Sequence, residues 1–204
     1  MDIKKYRKIL SENLFSNNPV FVQILGICST LAVTNNLINT LIMASGVTLS
    51  TAFSNFTISA IKDLIPRKVR MIVQVLIISF YVIIFDLFLK AFIPQVSKVL
   101  GPYVGLIITN CILMGRAEAF AQANHPLLSF WDGISSGLGY MYVLCTIAFT
   151  RELLGFGTIL NIRLMPDSFL PWTIMVMAPS AFFLLGIFIW IVKGPLLQKG
   201  GNKK

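Results

Sequence analysis

Charge is scarce in this sequence. Lys, Arg, Asp and Glu make up 12% of the 204 residues, against about 25% in a soluble domain, so an ordinary globular enzyme is excluded. Acids are the scarcer sign, 8 against 17 bases, leaving a net charge of +9. In a soluble chain that balance would suggest nucleic acid. Here the bases sit between long apolar runs, so a membrane accounts for them and no nucleic-acid partner is expected. The single histidine, His125, lies beside Pro126, and paired-His haem ligation cannot come from this chain alone. The three cysteines form no Cys-x-x-Cys pair, which removes the usual spacing signal for a metal or redox motif. Residues 155–160, Gly-Phe-Gly-Thr-Ile-Leu, lack the third glycine and the strand-to-helix setting of a dinucleotide loop. No Walker loop and no nucleophilic triad is present. The chain carries no complete active site.

What the sequence has in quantity is apolar length. Hydrophobic residues make up 56% and mean hydropathy is +0.80. Residues 13–61 hold no charged side chain over 49 positions, and 168–192, 133–150 and 99–115 add runs of 25, 18 and 17. A helix needs about 20 apolar residues to cross a hydrocarbon core of about 30 Å. The period-2 segments of a β-barrel are absent, which leaves helices to satisfy the backbone in lipid. Six spans are expected, at residues 19–34, 37–61, 71–92, 103–115, 128–150 and 171–192. Asn35-Asn36 separates the first two, and Pro94 is expected to end the third.

Loop charge sets the orientation. With the N-terminus inside, 13 of the bases (Lys4, Lys5, Arg7, Lys8, Lys62, Arg67, Lys68, Arg70, Arg116, Lys193, Lys199, Lys203, Lys204) fall on the inner side. Four, Lys90, Lys98, Arg151 and Arg163, fall outside. Both termini are expected to be cytoplasmic. A cleavable signal is not expected, because polar Ser16-Asn17-Asn18-Pro19 separates the basic start from the first apolar run and no small-residue cleavage pair closes that run. Ile27 before Cys28 likewise argues against a lipoprotein site.

Three spans followed by three, an odd number per half, is the arithmetic of an inverted-topology repeat. The expected architecture is therefore an all-α integral membrane protein, one domain over residues 1–204. Its six transmembrane helices form two inverted three-helix repeats, about 19–93 and about 101–192. The first helix of each half is short, 16 and 13 residues, or about 24 and 20 Å at 1.5 Å per residue. Short segments at matching places in two halves point to a site at the repeat interface. Each carries one cysteine near its middle, Cys28 and Cys111, which the pseudo-symmetry places face to face near the bilayer midplane. A shift of 83 residues aligns the two short helices but fails for the last span, so the repeat rests on topology, not on residue identity. Thiolates suit iron–sulfur clusters, zinc or copper(I), yet two are too few for a four-cysteine cluster without a partner. A buried cysteine is equally a small hydrophobe. Cys145, with no symmetric mate, is assigned to packing.

At these residues the sequence resembles a known family. The run 105–121, Gly-Leu-Ile-Ile-Thr-Asn-Cys-Ile-Leu-Met-Gly-Arg-Ala-Glu-Ala-Phe-Ala, is similar to the motif of the NqrDE/RnfAE family of membrane subunits. The likeness extends to Asn18-Pro19, residues 23–28, 31–34, 51–55, 132–134, 137–140, 151–153 and 178–183, nearly the whole chain. The match around Phe53 and in the last span favours the branch found in the sodium-pumping NADH:quinone oxidoreductase. The runner-up is the Rnf ferredoxin:NAD+ oxidoreductase branch. The resemblance implies a six-helix subunit pairing in opposite orientation with a homologue, NqrE, alongside NqrA, NqrB, NqrC and NqrF in a bacterial inner membrane. It implies that Cys28 and Cys111 match two cysteine ligands of one intramembrane [2Fe-2S] centre shared with NqrE, relaying electrons between flavins. NAD, FAD, FMN and quinone belong, on this view, to other subunits. A stand-alone secondary transporter with inverted repeats and a passive assembly scaffold are the competing classes.

Polar residues inside the apolar runs need a reason to be there, since an acid at a helix centre costs about 2.5–3.5 kcal/mol on insertion scales. Asp86 sits in the third span and Asp132 near the start of the fifth. Either carboxylate suits a sodium ion, and both look similar to family positions associated with the sodium path. The plain alternative is a solvated acid or one paired with a base, Lys90 at i+4 in the case of Asp86. Arg116 and Glu118 either brace the inner end of the fourth span or lie in a solvated loop. Gly133, Gly137, Gly139, Ser135 and Ser136 leave one face of the fifth span open to close helix packing.

Overall fold

The computed structural model describes Val20 and residues 25–34, 36–66, 68–92, 94–156, 158–159, 162–163 and 177–201. Among these, α1 spans Ile27–Val33, α2 Leu37–Ile61, α3 Arg70–Phe92, α4 Pro94–Ile108, α5 Cys111–Arg116, α6 Pro126–Phe156 and α7 Ala178–Gly201. A 3-10 turn, Lys62–Leu64, closes α2, and a π-type turn, Ala117–Ala121, continues α5. The strands among the described residues form one small hairpin. In it Thr158–Ile159 (β1) pairs antiparallel with Ile162–Arg163 (β2), Thr158 opposite Arg163. Among the described residues four apolar stretches are long enough to cross a membrane, Leu37–Leu64, Arg70–Phe92, Gly101–Ala121 and Pro126–Gly155. Pro179–Ile191 forms a shorter apolar helical segment within α7.

α2 shows how a Ser- and Thr-rich segment survives in an apolar setting. Its first turn is capped by Asn36, whose side chain accepts from the Ile38 N–H at 3.0 Å, satisfying one of the orphan donors every helix start leaves. Inside the helix Thr48, Thr51, Ser54 and Thr57 donate back to carbonyls three or four residues earlier, at 2.6–3.2 Å. The hydroxyls are thereby paired without water. The Thr57 hydroxyl also meets the Tyr81 hydroxyl at 2.7 Å, tying α2 to α3.

The largest helix–helix interface joins α2 to α6, and glycine allows it. A Cβ on Gly133 would stand 2.7 Å from the Ala52 Cα, and one on Gly137 would stand 2.8 Å from the Thr48 Cα. Two backbones therefore run in near contact, as small residues permit in lipid. The expected packing face of the fifth span is this one. Around it lies one buried core drawing Met43 and Val47 from α2, Ile78 and Val82 from α3, Leu113 from α5, Leu144 from α6 and Leu185 from α7. Met71, Ile72, Leu76, Phe80, Leu87 and Phe92 of α3 point outward instead. In water such a face would be a large exposed apolar patch. In a membrane it is ordinary.

The second expected span coincides with α2, and the third with α3 to within one residue. The fourth does not hold as drawn. Pro94 follows the end of α3 at Phe92, as expected, and is itself the first residue of α4, where a proline's missing N–H costs nothing. The apolar run it opens is then interrupted at Thr109-Asn110 and restarts as α5. The first expected span is likewise not one helix from 19 to 34, since Leu25 and Gly26 are non-helical and α1 starts only at Ile27. Residues 19 and 21–24 of that span, and 171–176 of the sixth, lie outside the described residues.

Candidate functional site

Both interruptions converge on the cysteines. Cys28 is the second residue of α1 and Cys111 the first of α5, so neither thiol sits at a helix middle as expected. Each lies instead in the first turn after a break. At the first break Gly26 takes φ 88° and ψ 14°, a left-handed conformation that side chains with a Cβ resist. At the second, Asn110 is extended, and its side-chain oxygen accepts from the Ile112 N–H at 3.2 Å, an N-cap within an apolar run. The two breaks meet: the Gly26 N–H donates to the Cys111 Sγ at 2.8 Å across 85 residues of sequence. α5 also closes on the start of α1 at Gly115, where a Cβ would meet the Leu25 Cδ1 at 3.0 Å.

Cys111 is half-buried and Cys28 exposed at the edge of this junction, close enough for their side chains to interact. Among the described residues no third His, Cys, Asp or Glu joins them to complete a metal-binding group. The donor set is thus two soft sulfurs, one of them held by a backbone N–H, with an open side at Cys28. That fits half of a four-thiolate iron–sulfur site and does not fit a closed site made by the described residues alone. Cys145 is half-buried in α6, and no described contact ties it to the other two.

Behind the thiols lies a polar knot that sequence patterns do not single out. Ser29, Asn110 and Tyr140 are all fully buried. The Tyr140 hydroxyl donates to the Ser29 Oγ, and the Asn110 Nδ2 reaches both at 3.4 Å. Ser29 and Thr30 donate to the Gly26 carbonyl at 2.9 and 2.8 Å. Asn110 and Ser29, each one residue from a cysteine, carry the only legible signal; Tyr140 has none.

The two acids part company. Asp132 is fully buried and paired with Arg116, whose Nε donates to its Oδ2 at 3.0 Å and whose Nη2 contacts its Oδ1. Neither the solvated-acid alternative for Asp132 nor the solvated-loop alternative for Arg116 holds. Glu118 accepts from Arg70 at 3.1 Å and from Gln74 at 2.8 Å, bracing the π-type turn against α3. Asp86 pairs with Lys90 at 2.6 Å, one turn on, while its Oδ1 is buried without a hydrogen-bond partner among the described residues. At the other end of the bundle Arg151 donates to Thr34 at 2.6 Å and to the Met177 carbonyl at 3.2 Å.

Several apolar helices long enough to cross a membrane, with two cysteines at the helix breaks, define a multi-pass membrane protein. The model of the family described as Rnf-Nqr subunit, membrane protein, matches residues 6–189, and the chain belongs to that family. It is 48% identical over 197 residues to the D subunit of the Na(+)-translocating NADH-quinone reductase of Pseudoalteromonas translucida, with 94% of each chain covered. The equivalent protein from Photobacterium profundum, which carries the same name, is 49% identical, again with 94% of each covered. That from Pseudomonas aeruginosa is 50% identical over 192 residues, 92% of this chain and 86% of the relative.

Proposed function

We propose that this chain is the D-type subunit of a sodium-translocating NADH:quinone oxidoreductase. In it Cys28 and Cys111 supply two ligands to a [2Fe-2S] centre whose other two come from a homologous subunit of opposite topology, NqrE. The observation that carries this reading is the meeting of the two helix breaks that bear Cys28 and Cys111, where the Gly26 N–H donates to the Cys111 Sγ. The relatives at about half identity over nearly the whole chain supply the activity. When bound, such a cluster accepts and returns one electron at a time, linking the flavin carriers of neighbouring subunits.

The chain's own part is to hold and insulate. Cys28 and Cys111 bind as thiolates, and the Gly26 N–H stays on one sulfur. Core side chains such as Leu113 and Leu144 keep water from the inner side. The arrangement is that of a six-span subunit in two inverted repeats, forming one domain in the bacterial inner membrane with both termini cytoplasmic. The interruptions at Gly26 and Asn110 then occupy corresponding places in the two halves, where such folds bind their ligands. NAD, FAD, FMN and quinone are held by the partner subunits NqrA, NqrB, NqrC and NqrF. Of the two acids read as the sodium path, Asp86 has one oxygen paired with Lys90 and one buried without a hydrogen-bond partner among the described residues, which an ion could occupy. Asp132 can join the path only when its pair with Arg116 opens.

The test is iron content and EPR of the purified complex, wild type against Cys111→Ala. Loss of a reducible 2Fe signal with the flavin signals retained is expected. Unchanged iron and an unchanged signal would return Cys111 to packing and bring the transporter class forward.

A further inference from the structure

The hydrogen bonds in the knot of Tyr140, Ser29 and Asn110 run in one direction, toward the Gly26 carbonyl. The Gly26 carbonyl carries no proton, so Ser29, at 2.9 Å, must donate to it. A hydroxyl has one proton, so Ser29 can only accept from Tyr140 and from Asn110. Tyr140 spends its own proton on Ser29 and accepts from Asn110. The two hydroxyl oxygens lie side by side as seen from the Asn110 Nδ2, so one of its N–H groups is shared between them, while the Asn110 oxygen accepts from Ile112. Turning either hydroxyl away would strand its donor in an apolar core, so the network resists rotation.

The network acts on one place. It grips the Gly26 carbonyl through Ser29, while the Tyr140 ring lies flush on the Gly26 Cα; a Cβ there would come within 2.7 Å of Tyr140 Cε2. Gly26 is held in its left-handed conformation from both sides, and that conformation aims its N–H at the Cys111 sulfur. An N–H donated to a ligating sulfur withdraws electron density from it and favours the reduced, more negative state of a metal centre.

We propose that Tyr140, Ser29 and Asn110 are positioning residues that hold the Gly26 N–H on Cys111 and thereby raise the reduction potential of the metal centre that Cys28 and Cys111 hold. The inference rests on the ligand role proposed above. It adds the residues that tune the centre, drawn from α6 and from both helix breaks, so that all three elements must be docked for the potential to be set.

The experiment is an EPR-monitored redox titration of the whole purified complex carrying Tyr140→Phe, Ser29→Ala or Ser29→Thr, with Tyr142→Phe as control on the exposed face of the same helix. Tyr140→Phe and Ser29→Ala should keep the iron and lower the midpoint. The expected size is about a tenfold change in the reduction equilibrium, about 59 mV for one electron, with a shift in the g-values. Ser29→Thr, which keeps a hydroxyl, should restore much of the potential, and Tyr142→Phe should leave it unchanged. Wild-type midpoint and g-values in both Tyr140→Phe and Ser29→Ala would overturn the inference while leaving the ligand role standing. A signal that survives Cys111→Ala would instead overturn the ligand role itself, so the two failures are distinguishable.

Discussion

Arg116 and Asp132 offer the sharpest test of how the core is held. Their side chains are 7% and 0% exposed, and they meet through two contacts. Two charges taken out of water lose several kcal/mol of hydration each, and their attraction returns that only while both are present. Asp132→Ala leaves a guanidinium buried without its counter-charge, and Arg116→Met leaves the carboxylate. Each single change should destabilise the subunit by about 3–5 kcal/mol. For a domain whose whole stability is about 5–15 kcal/mol, that is enough to impair assembly. Arg116→Met combined with Asp132→Val removes both charges and should fall much nearer to wild type than either single variant, so the two losses are far from additive. The assay is thermal unfolding of the purified complex, alongside the yield of assembled complex. Strict additivity, the double variant losing the sum of the two singles, would refute the pairing argument. The same double variant bears on sodium. If it assembles and its half-maximal sodium concentration is unchanged, Asp132 is not an ion ligand; if it rises, as is also expected for Asp132→Asn, the carboxylate belongs to the path.

Two further outcomes follow from the packing. Gly133→Ala should be far more damaging to complex stability than Gly46→Ala, because the new methyl would meet the Ala52 backbone in the first case and the movable Phe85 ring in the second. Gly186→Ala, which meets nothing within 4 Å, should be silent, and an equal loss at all three positions in a thermal-shift series would contradict the close α2–α6 approach. Glu152→Ala should cost about 0.5–2 kcal/mol, since Glu152 accepts from the Leu37 N–H at 2.9 Å and caps the start of α2 from another helix. Glu152→Gln, which keeps an acceptor, should recover part of that in the same melt.

The elements legible along the chain are those that depend on local sums. α2 needs only an uncharged run, a capping Asn36 and the basic loop that follows, and its bounds emerge from those alone. α3 is nearly the same case. The breaks at Gly26 and Asn110 are not legible, because hydropathy averages over them; Thr109-Asn110 reads as a short polar step inside an apolar span. Its capping role appears only when the Ile112 N–H is seen to need an acceptor. Pro94 could equally close one helix or open the next, and what precedes it does not decide between them. An expectation that Cys28 and Cys111 lie near each other can be argued from the two short segments, while their place at helix starts rather than helix middles cannot.

Composition and charge placement by themselves determined that this is a helical membrane protein, since a backbone in lipid has few ways to pair its polar groups. The motif around Cys111 determined the family. Tertiary structure alone decided what each polar residue does. Asp132 becomes half of an ion pair because the turn after α5 returns Arg116 to it. Tyr140 reaches the thiol junction because α6 crosses behind it. Gly26 meets Cys111 because two helices break where they pack. Hydrophobicity is a property of a segment and can be read along the chain. A hydrogen bond between residues 85 positions apart depends on how segments dock, and no local pattern encodes it.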